Sequence, residues 1–193
     1  MRSSQISARR IKLTLSTLET GPKAAEVLSK HTDADLTSLF FGRSVFATVA
    51  GVENCHIARG GYTGEDGFEI SIPSGEATVR VTDALTNTAP TQLAGLAARD
   101  SLRLEAGMCL YGHDLDTSVS PVEGALAWCV GKDRRAAADF LGASRVLKEL
   151  KEAPPRRRVG LFVEGPPARE GAQIYDEQGK EVIGESKEFE LAS

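Results

Sequence analysis

The 193-residue sequence has few of the residues that build metal centres and disulfide frameworks. It contains three cysteines, Cys55, Cys109 and Cys129, and three histidines. An odd cysteine count without C-x-x-C spacing argues against a disulfide framework and against a zinc site. Cys55 and His56 are adjacent, but neighbours on a strand point to opposite faces, which makes them a poor pair of ligands. We therefore expect no metal cofactor.

Other missing features narrow the class of protein further. No apolar run approaches the length of a membrane-spanning helix. There is no phosphate-binding loop, no dinucleotide-binding glycine fingerprint and no pattern typical of a Ser-His-Asp nucleophile. The formal net charge of −4 gives no general attraction to nucleic acid or to an anionic membrane. We therefore expect neither among its partners, and any partner must be recognised locally.

The patterns that are present predict an α+β fold, because strand-like segments alternate with helix-like ones. The expected strands cover residues 39–49, 52–58, 68–72 and 126–130, and the last would be buried together with Trp128. A helix is expected to open at Gly21-Pro22, and others at 76–87, 97–107 and 143–152, with Ser74 as a cap.

A change of composition follows two adjacent prolines, Pro154 and Pro155, which end the last predicted helix. We expect a domain boundary at about Ala153, then a strand at 158–163 and a hairpin at 173–184. An isolated hairpin is marginal in water, so we expect this C-terminal tail to be poorly ordered.

The most distinctive stretch runs from Arg59 to Ile70 and reads RGGYTGEDGFEI. Four glycines in eight residues mark a backbone that turns sharply or lets a ligand approach closely. A strand precedes the stretch, and the alternation of Phe68 and Ile70 predicts a returning strand. Glu69 should leave that strand just past the turn, which suits a ligand-binding carboxylate. An ordinary hairpin whose glutamate faces water would give the same pattern.

Five segments together resemble the glycine cleavage system T-protein family, the aminomethyltransferases. They are GYTGEDGFE at 61–69, GLAARDSLRLEAG at 95–107, LYGHDL at 110–115, PVEGALAW at 121–128 and VGK at 130–132. The resemblance covers about residues 18–184 in the family's order. It implies part of a folate-binding domain at 18–153 and the start of a small C-terminal β-barrel at 154–193, as in a family member truncated at both ends.

The resemblance implies transfer of an aminomethyl group from the lipoyl arm of H-protein to tetrahydrofolate. Ammonia would leave and 5,10-methylenetetrahydrofolate would form, with tetrahydrofolate as a substrate and no metal. We expect the basic run Arg156-Arg157-Arg158 to be a solvated linker between domains. It could also contact an acidic H-protein or a polyglutamate tail.

The same resemblance assigns substrate-binding roles to three residues. Glu69 would accept the adjacent ring N–H and amino donors of the pterin, as carboxylates do from guanidinium groups. Arg99 would be a second folate contact, and Tyr62 would stack on the ligand or hydrogen-bond to it. Arg99 and Arg103 lie four apart on a helix, which fits this role but also fits a surface ion-pair network. The family's catalytic aspartate belongs to a segment with no match here, so no catalytic residue is assigned.

Two further functions fit the same residues. One is a non-catalytic folate-binding or protein-binding remnant, and the other is the folate domain of a dimethylglycine or sarcosine dehydrogenase-like protein. Residues 1–17 form a basic leader that resembles a mitochondrial transit peptide, although a disordered leader or a misplaced coding start would look similar. We therefore expect the mitochondrial matrix, or the cytoplasm if the source is prokaryotic.

Overall fold

The computed structural model describes residues 15–163, 165–166 and 168–187. Residues 1–14 of the predicted leader and 188–193 of the predicted tail lie outside the described residues. The chain divides into two compact units, Met1–Ala106 and Gly107–Ser193. The α+β fold predicted from the sequence is confirmed, since a sheet and helices share one core. The domain boundary at Ala153 stays a prediction.

A four-stranded antiparallel sheet is the centre of the first unit. Its strands are β1 (Leu15–Thr20), β2 (Ser44–Val49), β3 (Val52–Arg59) and β4 (Gly67–Ile72), in the order β1-β4-β3-β2. Ala50 and Gly51 connect β2 to β3 with positive φ at both residues, as a two-residue hairpin turn requires. The sequence predicts the last three of these strands.

Two helices, α1 (Ala24–Leu28) and α2 (Gly75–Thr86), cover one face of the sheet. Val27, Leu28, Val81 and Leu85 from these helices form one buried cluster with apolar residues of β3 and β4. Ser74 caps α2, because its Oγ accepts a hydrogen bond from the Ala77 N–H at 3.3 Å. The opposite face of the sheet therefore carries the residues that alternate with the core positions, Glu69 among them.

The first unit ends with α3 (Leu96–Glu105), which the sequence places at 97–107. Gly95 precedes it in an extended conformation, and the Gly95 carbonyl accepts a hydrogen bond from the Arg99 N–H at 3.2 Å. Arg99 consequently lies in the first turn of α3. This helix and the glycine-rich stretch between β3 and β4 carry the candidate site.

The second unit contains two short helices, α4 (Lys132–Ala137) and α5 (Ala143–Glu152), and a hairpin of β5 (Gln173–Tyr175) and β6 (Val182–Glu185). Helix α5 and the hairpin agree with the sequence analysis, whereas α4 was not predicted. The run KDRRAA of α4 has no apolar stripe to signal a helix.

Two predicted strands are wrong. Residues 126–130 form a turn of 3-10 helix (Ala127–Cys129) in which Trp128 is 76% exposed, so they are neither a strand nor buried. Residues 158–163 form no strand, and Phe162 is fully exposed. Short apolar runs do not separate strands from other conformations by pattern alone, and within the described ranges no neighbouring strand pairs with either segment.

No helix in the described ranges is long and apolar enough to cross a membrane. Within the same residues, no group of three or more histidine, cysteine, aspartate or glutamate side chains could hold a metal ion. None of the three cysteines, all of which lie within the described residues, forms a disulfide.

Candidate substrate-binding site

An ion pair closes the base of the glycine-rich loop between β3 and β4. Arg59, the last residue of β3, donates from Nε to Asp66 Oδ1 at 2.9 Å and from Nη2 to Asp66 Oδ2 at 2.7 Å. Below it, the Gly60 N–H donates to the Gly67 carbonyl at 2.9 Å. A bidentate ion pair fixes the orientation of the two side chains as well as the distance between them. Residues 60–66 therefore form a loop with a defined shape.

The same guanidinium ties the loop to the segment that precedes β2. Its Nη1 donates to the carbonyls of Leu36 at 3.0 Å and Leu39 at 2.8 Å, and its Cζ lies 5.3 Å from the centre of the Phe68 ring. Arg59 is therefore a structural residue that positions the loop.

The pKa of the Asp66 carboxyl lies below its ordinary value because the Arg59 guanidinium hydrogen-bonds to the ionised form. In the unfolded chain, the Asp66 carboxyl has its ordinary pKa of about 4, so it becomes protonated at a higher pH than in the folded chain. The pair thus stabilises the fold above that pH, and its contribution is lost as the pH falls through the lower folded pKa.

We expect Asp66→Asn to lower the free energy of unfolding at neutral pH. This effect should shrink as the pH falls below about 4 and vanish below the lower pKa of the folded chain, where Asp66 is protonated in both the folded and the unfolded state. Urea unfolding across a pH series measures the difference. Asp83→Asn, at an exposed position of α2, is the control and should show little dependence on pH. A difference that stays constant into acid would contradict the role of this pair.

Gly64 lets the loop approach the end of α3. Its φ is +78°, a left-handed conformation that glycine adopts without cost. A Cβ at this position would lie 2.9 Å from the Cβ of Ala106, which is shorter than a normal carbon contact. The loop and the C-terminal end of α3 are therefore in direct contact at Gly64.

Gly64→Ala should destabilise the first unit by about 1–2 kcal/mol from the left-handed backbone, with a further loss from the contact with Ala106. Gly42→Ala is the matched control, because Gly42 has a similar φ of +75° and a Cβ there meets no atom within 4 Å. Urea unfolding of both variants tests the prediction. Equal destabilisation would show that the loop does not need to approach α3 closely.

Tyr62 and Arg99, two of the three predicted site residues, are in contact. The Arg99 Cζ lies 5.0 Å from the centre of the Tyr62 ring, which is the geometry of a cation–π pair. Tyr62 is half-buried in the loop and Arg99 is exposed. A guanidinium fixed in this way keeps its outer N–H groups available for an anionic or carbonyl-bearing ligand.

One stripe of α3 faces the loop. Arg99, Arg103 and Ala106 are spaced by four and three residues and so lie on one side of the helix. Arg99 contacts Tyr62 and Ala106 contacts Gly64, while Arg103 between them is completely buried and donates from Nε to Asp100 Oδ1 at 2.8 Å. The shared face agrees with the sequence analysis, but a fully buried Arg103 excludes an ordinary surface ion-pair network.

Glu69, the third predicted residue, is exposed on β4, opposite Ala58 of β3. It lies two residues into the strand, about 7 Å from the end of the loop at the rise of a β-strand. The described residues include no contact of Glu69 with Tyr62 or Arg99. The structure thus brings Tyr62 and Arg99 together and leaves Glu69 unengaged nearby on the open face of the sheet.

Two aromatic residues that the sequence analysis did not single out share this open face. Phe46 pairs with His56 in the sheet, and His56 with Ser71, so their side chains point to the same side as Glu69. The rings of Phe46 and His56 are 4.9 Å apart and tilted by 47°, and Phe46 is 71% exposed. The alternation of side chains within β2 and β3 could have suggested that Phe46 and His56 form a pair. Only the pairing register of the strands shows that they lie on the same face as Glu69.

Comparisons with known proteins identify similar sequences. The model of the GCVT N-terminal domain family matches residues 4–134. The aminomethyltransferase of Gallus gallus, named as mitochondrial, is 51% identical over 162 residues, which are 84% of this chain and 41% of that protein. The corresponding Homo sapiens protein is 50% identical over 162 residues, which are 84% of this chain and 40% of that one.

A solved structure extends the similarity to the fold. The crystal structure of glycine cleavage system aminomethyltransferase T from Bartonella henselae matches with a TM-score of 0.78 and 39% identity, over 90% of this chain and 47% of that one. The chain spans about 40% of the length of the curated relatives named above.

Proposed function

Because this chain belongs to the glycine cleavage T-protein family of aminomethyltransferases, we propose that it provides the folate-binding face of such an enzyme. The observation that carries the proposal is the Arg99–Tyr62 contact beside the loop that leads into Glu69. The fold holds the Arg99 cation against the Tyr62 ring, and it leaves the Glu69 carboxylate exposed on the strand that follows the loop.

Each of the three residues has a task that its chemistry suits. Glu69 accepts the ring N–H and the amino group of the pterin, two donors that a carboxylate binds side by side. Arg99 donates to a carbonyl or carboxylate oxygen of the folate. Tyr62 holds Arg99 in place and offers its ring edge or hydroxyl to the ligand. Ala58, which pairs with Glu69 in the sheet, has a small side chain.

The proposed reaction is transfer of an aminomethyl group from the lipoyl arm of an H-protein to tetrahydrofolate. Two bonds to the methylene carbon break, the C–N bond to the leaving amine and the C–S bond to the lipoyl sulfur, and two bonds form, to N5 and N10 of the folate. The two protons that these folate nitrogens lose go to the amine, which leaves as ammonia, and to the sulfur, which is left as the dihydrolipoyl thiol, and 5,10-methylenetetrahydrofolate forms. The role of this chain in the proposed reaction is to bind and orient the folate. We place the folate-binding domain at 18–153 and the start of a β-barrel domain at 154–193.

The proposed location is the mitochondrion, since the relatives from Gallus gallus, Canis lupus familiaris and Homo sapiens are named as mitochondrial. A prokaryotic source would place the same chemistry in the cytoplasm.

An assay with lipoyl-bearing H-protein carrying the aminomethyl group tests the function. The proposal predicts that the chain binds tetrahydrofolate and that ammonia and 5,10-methylenetetrahydrofolate appear together. Tetrahydrofolate binding without transfer would favour the non-catalytic folate-binding alternative. If neither binding nor transfer is detected with a folded chain, the proposed function is wrong.

A further inference from the structure

The three consecutive arginines after Pro155 have different environments. Arg156 donates from Nε to Glu123 Oε1 at 2.9 Å, and the Glu123 side chain is only 3% exposed. Arg158 donates from Nη2 to the Gly107 carbonyl at 2.7 Å and from Nε to the Gly124 carbonyl at 3.3 Å. Arg156 and Arg158 are therefore tied to other residues of the second unit, which departs from the expected solvated linker, although the Arg156 side chain is still 56% exposed. Arg157 is also exposed, and it lines a cavity.

This cavity, in the second unit, has a volume of about 580 Å³ and is open to solvent. Val122, Ala127 and Leu150 contribute apolar walls, and the exposed indole of Trp128 stands at its rim. The turn that carries Trp128 is held from α4 by Arg135, which donates from Nε to the Val130 carbonyl at 2.7 Å and from Nη2 to the Ala127 carbonyl. The turn that carries the indole is therefore held in place by α4.

The charge around the cavity is basic once internal pairs are taken into account. Glu149 accepts hydrogen bonds from Arg145 Nε at 2.7 Å and from the Ser120 hydroxyl. Glu152 lies 3.8 Å from Lys148 Nζ. Lys151 and Arg157 also line the cavity, and neither forms an ion pair with any residue that the structure describes. Two cations without partners therefore flank an apolar pocket and an exposed indole.

We propose that this cavity docks an acidic protein segment that carries an aliphatic or aromatic side chain between its carboxylates. The apolar side chain packs against Trp128 and Leu150, while carboxylates pair with Arg157 and Lys151. Tryptophan and arginine are the residue types that contribute most to protein interfaces, and arginine binds carboxylates with two parallel hydrogen bonds. The inference goes beyond folate binding and uses neither Glu69 nor Arg99.

Trp128 is the single tryptophan of the chain, so its fluorescence reports occupancy directly. The probe is the blocked hexapeptide Glu-Glu-Leu-Phe-Glu-Glu, and the neutral comparison is Gln-Gln-Leu-Phe-Gln-Gln. Titration of the full chain with the acidic peptide should shift the emission to shorter wavelength and protect Trp128 from acrylamide. Added salt should weaken binding, because the contacts are between exposed charges.

Arg157→Ala and Lys151→Ala should each weaken the acidic peptide about fivefold, the loss expected for one exposed ion pair. Lys180→Ala is the control: it removes the same charge from an exposed position of the hairpin in the second unit that does not line the cavity, and it should bind as the parent does. An unchanged emission, equal binding of both peptides, or an equal loss in the control would overturn the proposal.

A second measurement needs no variant. A basic rim concentrates anions, so the ratio of iodide to caesium quenching should be higher for Trp128 than for free N-acetyltryptophanamide at equal ionic strength. An equal ratio for Trp128 and the free compound would contradict the charge argument. Neither experiment uses tetrahydrofolate, so the docking proposal and the folate-binding proposal are tested separately.

Discussion

Replacing Arg103 by alanine is expected to lower the free energy of unfolding by about 3 kcal/mol, as truncations of large buried side chains do. Among the residues that the structure describes, Arg103 is the largest fully buried side chain, and it lies between the two points at which α3 touches the glycine-rich loop. Truncation leaves a void under the helix and removes the hydrogen bond to Asp100. Urea unfolding followed by circular dichroism measures the loss.

Arg103→Met is the control that separates packing from charge. Methionine fills most of the volume, and Asp100, whose side chain is 47% exposed, can be hydrated when its partner is gone. The expected loss is accordingly smaller, about 1 kcal/mol. Equal losses for both variants would show that the ion pair, and not the packing, holds α3. No loss in either would contradict the assignment of Arg103 as the anchor of this helix.

The second large effect concerns ligand binding without a change in folding. Glu69→Ala should weaken tetrahydrofolate binding by about 1–3 kcal/mol, because two pterin donors lose their acceptor. This corresponds to a five- to 150-fold increase in Kd. Since Glu69 is exposed and has no partner among the described residues, the unfolding curve should not change. Calorimetric titration and urea unfolding of the same protein give both values.

Glu53→Ala supplies the matched control for Glu69. Glu53 is another exposed acid of the same sheet, on β3 near the turn that follows β2 and away from the glycine-rich loop. Its removal changes the net charge equally and should leave folate affinity unaltered. An affinity that stays the same in Glu69→Ala, or falls equally in both variants, would remove Glu69 from the binding face.

Local patterns predicted much of the fold because they carry their own physical signal. Ser74 followed by an amphipathic run specified α2 and its cap, and the alternation of Phe68, Ile70 and Ile72 specified β4. The wrong predictions concern segments whose hydrophobic pattern fits more than one type of secondary structure. The apolar residues around Trp128 and Phe162 look like strand residues, yet a strand needs a partner, and pairing is a property of the whole fold.

The candidate site was predictable in its parts but not in its arrangement. The spacing of Arg99 and Arg103 correctly indicated one helix face, and the glycines correctly indicated close approach. The contact of Arg99 with Tyr62, the burial of Arg103 and the clamp of Arg59 on Asp66 depend on how α3 lies against the loop. Sequence spacing within one element does not contain that information.

The central claim is that the glycine-rich loop, the first turn of α3 and the open face of β4 bind one folate together. The most direct test is a nuclear magnetic resonance titration of the isotope-labelled chain with tetrahydrofolate. The account predicts that backbone shifts concentrate at residues 60–66, at Arg99 and at Glu69, all with the same Kd. Shifts confined to other surfaces, or different Kd values for the loop and for Glu69, would contradict it.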